Sequence, residues 1–317
     1  MHLTITLVLA SASIATAAVL PRGEVTLAVG PNCGSFGGSP KDVNGNLPAL
    51  STFSTIVTFG DSYTDGGKHD GSPLNPPILH APNTSAGGRY TNGPVWAEYL
   101  AGVHGAAIRD YAVKGAVVDV NQWPQSKSSL QGADDLLIQA NTFISQDGAS
   151  DPASTLYVLF FGIEDYVQSS ENGNSSLSNQ AQNIAYTMLR LASSPVFGKN
   201  FLIVDNHGRG TETDAGAAFK SELFTDLGAM VANFALNIGF VDLSTVWDGV
   251  LGSSPGAAAF GYTSTEPCLK SPTTTDGSCA DPDHAFYWFD GNPTTVTHKI
   301  ISDYVQTVMS KCTLNGA

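Results

Sequence analysis

Ile56-Val57-Thr58-Phe59-Gly60-Asp61-Ser62-Tyr63-Thr64-Asp65 sets an apolar run of strand-forming residues directly against a Gly-Asp-Ser turn. A short apolar run that ends in glycine reads as a strand buried on both faces, as in a parallel sheet. Ligand sites of such sheets lie beyond the carboxyl ends of the strands, so Ser62 stands where a nucleophilic hydroxyl is expected. The turn can expose it beside a helix N-terminus whose N–H groups hold a developing oxyanion. Taken alone, the same tripeptide also fits a serine that caps the next segment, with Asp61 and Asp65 as turn residues.

Outward from this run, Ala107 to Val113, Thr155 to Phe161, Asn200 to Val204 and Gly239 to Leu243 are further strand candidates. Helical patterns separate them at Val95 to Ala101, Asp134 to Ile144, Ser178 to Ser193 and Asp214 to Asn237, and another closes the chain from Thr295 to Cys312. In the long one, Phe219, Leu223, Leu227, Val231 and Phe234 recur every three or four residues and make one face apolar. Alternating strands and helices predict an α/β fold, a three-layer αβα sandwich with a mostly parallel sheet. The arm from Pro21 to Thr52 has too little periodicity to assign, and Gly252 to Gly277 reads as a surface loop.

Residues 3 to 18 are apolar and small, ending Ala15-Thr16-Ala17-Ala18, which fits a secretory signal although the start carries no Lys or Arg. The expected layout is a signal peptide over 1–18, an arm over 19–52, one domain over 53–312 and a tail over 313–317. With 14 basic against 28 acidic residues the surface should repel nucleic acid and anionic membrane. A secreted, extracellular monomer without a membrane anchor is expected. Four cysteines allow three pairings; Cys268 with Cys279 would pin the loop between them, and Cys33 with Cys312 would then tie the arm to the last helix. None has C-x-x-C spacing, and no metal or cofactor is expected. Asn83-Thr84-Ser85 and Asn174-Ser175-Ser176 are glycosylation acceptors.

Phe59-Gly60-Asp61-Ser62-Tyr63-Thr64-Asp65 resembles the first block of the Gly-Asp-Ser-Leu lipase and esterase family, whose fold is the SGNH hydrolase fold; Tyr63 stands in place of leucine. Gly88-Arg89-Tyr90-Thr91-Asn92-Gly93-Pro94-Val95-Trp96 is similar to the stretch that follows in the plant and fungal branch, where Asn92 would shape a loop. Tyr111-Ala112-Val113-Lys114-Gly115-Ala116 resembles the second block, which makes Gly115 an oxyanion N–H donor. The resemblance runs from about Thr55 to Lys311. It implies ester hydrolysis with Ser62 as nucleophile, and within the family this chain is most similar to secreted fungal carbohydrate acetylesterases. A small-molecule or oligosaccharide acyl ester is the implied substrate. Trp96, Trp123, Trp247 and Tyr166 are candidates for stacking on sugar and equally for the core.

Two departures stand out. The third family block, Gly-x-Asn-Asp, reads Gly162-Ile163-Glu164-Asp165 here, so the oxyanion amide position holds Glu164, which can donate only when protonated. The last block, Asp-x-x-His-Pro-Thr, reads Asp290-Gly291-Asn292-Pro293-Thr294, one residue shorter and with asparagine before the proline. Asparagine can orient a group but cannot act as a general base. Ser62 and Asp290 are then a nucleophile and an orienter without the member between them. His207, beyond the strand ending near Val204, is the best spare base and His69 the next; His284 and His298 are placed less well. Three functions remain open: a serine esterase using Ser62, Gly115, Glu164 and Asp290, a ligand-binding protein on a hydrolase scaffold, and a metal-dependent hydrolase built from Asp61, Asp165, His207 and Asp290.

Overall fold

The computed structural model describes residues 24–124, 134–146, 151–172 and 177–314; the expected signal segment and Asn174 lie outside them. In chain order the elements are β1 (Val43–Gly45), β2 (Thr55–Gly60), α1 (Trp96–His104), β3 (Ala107–Asp110), α2 (Leu136–Ser145), β4 (Thr155–Phe160), α3 (Ile163–Asn172), α4 (Leu177–Leu191), β5 (Asn200–Asp205), α5 (Asp214–Phe234), β6 (Asn237–Asp242), α6 (Ser244–Leu251), α7 (Ala257–Phe260), β7 (Ser264–Pro267), β8 (Ala285–Phe289), β9 (Asn292–Pro293) and α8 (Thr295–Lys311).

Because strand side chains alternate, an apolar strand buried on both faces feeds two cores at once. In β4, Leu156, Val158 and Phe160 enter the core that contains Trp96, Trp247, Ile300 and Tyr304, while Tyr157 and Leu159 enter the one with Phe143, Met188, Leu223 and Phe224. Helices α1, α6 and α8 therefore cover one face and α2, α4 and α5 the other. The sheet order is β1-β6-β5-β4-β2-β3, with every pairing parallel except β1 with β6. This is the expected three-layer αβα sandwich. Side-chain caps help fix the helix starts: Asp135 accepts from Ile138 N for α2 and Thr213 from Gly216 N for α5.

The unassigned arm supplies strand β1, too short at Val43–Gly45 for any periodicity to show. The Cys33–Cys312 disulfide fastens the arm to the end of α8, and Cys268–Cys279 closes the loop after β7; both are the pairings favoured above. The stretch read as a surface loop carries α7 and β7. A second sheet, β7-β8-β9, ends in the tight turn that brings Asn292 to the main sheet. Among the described residues no helix is long and apolar enough to cross a membrane.

Candidate active site

β2 and β4 run in register with Gly60 opposite Phe160, so the Ser62 turn and the Gly162 turn leave neighbouring strands at the same sheet edge. After Gly60 the chain closes one helical turn, Asp65 N donating to Asp61 O at 2.9 Å. A Cβ on Gly60 would stand 2.8 Å from Thr64 Cβ, so that turn requires glycine. Inside it, Asp61 Oδ1 accepts from Tyr63 N at 3.0 Å. Asp61 Oδ2 is buried without a partner, and burial, with the charge of Glu164 adding to it, raises the Asp61 carboxyl well above the usual range.

The Ser62 hydroxyl donates to Asn292 Oδ1 at 3.0 Å. Asn292 thus stands where the resemblance places the base. Its amide nitrogen donates to the carbonyl of Asp290 at 3.2 Å. Asp290 itself lies at the exposed turn between β8 and β9. The shortened block puts the aspartate on the turn, and its carbonyl is the group that contacts Asn292. The Gly291 carbonyl accepts from Tyr63 Oη at 2.6 Å and from Arg209 Nη1 at 3.1 Å. Gly291 has φ 68°, and a Cβ there would collide with the Arg209 guanidinium. Neither Arg209 nor the Tyr63 hydroxyl was singled out from sequence. Arg209 sits in a polar loop, and Tyr63 occupies the position where the family motif has leucine.

The second block folds as a turn in which Gly115 takes φ 79°, a left-handed conformation that glycine adopts without strain. Asp65 holds that turn beside Ser62, its Oδ2 accepting from Lys114 N at 2.7 Å while Oδ1 takes Gly67 N at 2.6 Å. Glu164 occupies the first turn of α3 and is half-buried. Burial raises its carboxyl above the usual range, against the opposing charges of Arg209 and Lys114. Asp165 is buried and takes Val118 N at 3.1 Å and Trp123 Nε1 at 3.1 Å, its pKa pushed by burial to about 7. It fastens the segment that follows Gly115. Asn92 accepts from Thr295 N at 2.8 Å and so anchors the start of α8 below Asn292.

The spare histidines are occupied elsewhere. His207 Nδ1 lies 3.2 Å from Asp205, and its Nε2 is buried against α5, where a Cβ on Gly216 would collide with it. His69 Nε2 lies 3.0 Å from Asp65. His284 pairs with Asp281 at 3.0 Å. His298 is buried in the core beneath Tyr63, where desolvation lowers its pKa to about 3 and keeps it neutral. Among the described residues the hydrogen-bond partner of the Ser62 hydroxyl is Asn292.

The tryptophans offered above as sugar platforms are core residues: Trp96, Trp123 and Trp247 are all buried, and their indole N–H groups bond Thr64, Asp165 and Tyr287. Tyr166 packs edge-on to His207. Among the described residues no His, Cys, Asp and Glu group is arranged to hold a metal ion.

A family model described as GDSL-like Lipase/Acylhydrolase matches residues 56–305. The thermolabile hemolysin of Vibrio parahaemolyticus serotype O3:K6 (strain RIMD 2210633) is 24% identical over 275 residues, 78% of this chain and 62% of that protein, so the chain spans less than two thirds of that relative. Among solved structures, a catalytic mutant of an acetylxylan esterase from Geobacillus stearothermophilus aligns at 13% identity with a TM-score of 0.40, covering 80% of this chain and 94% of that one. A Bacillus subtilis protein aligns at 12% identity with a TM-score of 0.43, over 82% of this chain and 56% of that one. The matched span takes in both Ser62 and Asn292, and the chain belongs to the GDSL-like lipase/acylhydrolase family.

Proposed function

We propose that this protein is a secreted, impaired ester hydrolase that binds small or carbohydrate-linked acyl esters, acetyl esters above all, over Ser62 and cleaves them slowly. The observation that carries this reading is the 3.0 Å hydrogen bond from Ser62 to the Asn292 amide oxygen. It orients the serine while giving its proton no titratable acceptor. Gly115, in its left-handed turn, offers a backbone N–H to the substrate oxygen, and Glu164 adds a donor only in its protonated form. Residual turnover then comes from binding and the surviving donors, since disabled constellations keep some rate over water.

A second reading, a pocket that binds an ester without cutting it, is favoured by the carboxyl of Glu164 standing where an amide donor is expected. One experiment separates the two. Acetyl release from an activated short-chain ester and from acetylated xylo-oligosaccharide is measured for the wild type beside Ser62→Ala, across pH 4 to 8. Slow release that Ser62→Ala abolishes supports the hydrolase; identical traces from both proteins overturn it and leave the binding pocket.

A further inference from the structure

Arg209 is half-buried and paired unlike the buried cations Arg89 and Lys220. Arg89 places two nitrogens on the Glu98 carboxylate at 2.6 Å each, and Lys220 has Asp205, Glu212 and Asp242 within 3.4 Å. Arg209 has no carboxylate within 4.0 Å among the described residues, although the chain carries 28 acidic residues against 14 basic. Among the described residues its guanidinium donates to the Gly291 carbonyl at 3.1 Å, next to the Tyr63 hydroxyl that donates to the same oxygen. Among the described residues the other guanidinium N–H donors make no hydrogen bond to a protein acceptor, on a side chain already half withdrawn from water.

Its placement is specific. Arg209 adopts φ 50°, a left-handed conformation uncommon for a residue with a side chain and concentrated at ligand clamps. The guanidinium lies against Gly291, directly before the residue that bonds Ser62. A half-buried guanidinium loses hydration, and a planar anion that pairs with it in two parallel hydrogen bonds restores that loss.

We propose that the ligand of the Ser62 site bears a carboxylate, as an acidic sugar ester does, and that Arg209 receives it. This rests on the reading of the site as an acyl-ester pocket and narrows its substrate class. The two acids nearest in charge do not oppose such a ligand in acidic medium, because burial holds both Asp61 and Glu164 toward their neutral forms. Lys114, exposed with its Nζ 3.5 Å over the Tyr90 ring, adds a second positive charge that acts on Glu164.

The test is calorimetric titration of the wild type at pH 5 with a glucuronic acid-bearing xylo-oligosaccharide, its neutral counterpart and acetate. The acidic sugar is expected to bind about tenfold or more tightly than the neutral one. Arg209→Gln should cancel that preference and Arg209→Lys keep part of it. Acetate competing with the acidic sugar would assign recognition to the carboxylate alone, and failure to compete would assign it to the acidic sugar as a whole. Equal binding of acidic and neutral sugars by the wild type overturns the proposal, as does a preference that survives Arg209→Gln at an unchanged melting temperature. Should Arg209→Gln fail to fold, the Arg209 Nε–H resonance in the wild type decides: it must shift on adding the acidic sugar and stay fixed with the neutral one. Ser62-dependent release from neutral esters, without acidic preference, would remove this inference and leave the esterase reading. Arg209-dependent binding of the acidic sugar with no effect of Ser62→Ala on acetyl release would do the reverse.

Discussion

Ser62 Oγ donates a hydrogen bond to Asn292 Oδ1 at 3.0 Å, and the other end of the same amide reaches the Asp290 carbonyl at 3.2 Å. An amide oxygen accepts this hydrogen bond but does not take the proton, so the contact orients the serine without activating it. Asn292→Ala should therefore lower Ser62-dependent acetyl release by no more than about threefold, against the 10² or more that loss of a working base costs. A hundredfold fall in a variant that melts like the wild type would mean that Asn292 takes part in proton transfer.

The resemblance puts Glu164 in the place of the oxyanion amide, and if it serves there its raised pKa sets the sign of the pH dependence. Below that pKa the carboxyl is neutral and donates; above it the carboxylate repels the charge forming on the substrate. Ser62-dependent release, taken as wild type minus Ser62→Ala, should be highest in acid and fall as the pH rises through the Glu164 pKa. Glu164→Gln should flatten that fall, and Glu164→Asn should raise the rate at pH 7 by about tenfold or more. A rate that climbs with pH in Glu164→Gln and wild type alike contradicts the assignment.

Three carboxyls outside the reaction centre are raised mainly by burial, Asp110 and Asp165 to about 7 and Asp42 to about 6, from 3.8. Between those values the folded protein holds protons that the unfolded chain releases, so their contribution is complete below pH 3.8 and lost as the pH climbs to about 7. Asp205, lowered despite its burial by His207 and Lys220, acts in the opposite sense only in stronger acid, and His298, lowered by burial to about 3, opposes the carboxyls as the pH rises to 6.5 but is one group against three. The melting temperature should fall by about 5 °C or more from pH 5 to pH 8. Asp165→Asn, with its amide oxygen in the place of Oδ1, removes one of the three groups and should shrink the fall. A melting temperature that rises over this range would show these groups ionised in the folded state.

The Cys33–Cys312 bridge closes a span of 279 residues and clips the arm carrying β1 to the end of α8. Cross-links over long loops restrict the unfolded chain most, so replacing Cys33 and Cys312 together by serine should cost about 2–5 kcal/mol in urea unfolding. Replacing Cys268 and Cys279, only 11 apart, should cost less. The reverse order would show that the arm is held by its strand pairing and side-chain contacts.

The strands were legible because five apolar runs end near polar or glycine residues, and their alternation feeds two cores. Strand β1 was not, since three residues carry no period. The motif blocks singled out both Ser62 and Asn292, because Pro293 and Thr294 mark the last block even without its histidine, and the structure sets the two 3.0 Å apart. Arg209 was invisible: its polar loop has neither period nor motif, and its importance comes from a contact with Gly291, 82 residues away. The histidines could be ranked but not placed, because a ring near the sheet edge can turn toward the pocket or, as His207 does, toward a helix. Composition likewise could not show that the three tryptophans point into the cores.

The most direct measurement is acetyl release by Asn292→His beside the wild type, with Ser62→Ala in both backgrounds. The amide spans the two partners an imidazole needs, one nitrogen toward Ser62 and the other donating to the Asp290 carbonyl. If the missing base is what impairs this protein, Asn292→His should release acetyl at least about tenfold faster near pH 7, and Ser62→Ala should abolish the gain. A folded Asn292→His protein no faster than the wild type would contradict it and place the defect elsewhere in the site.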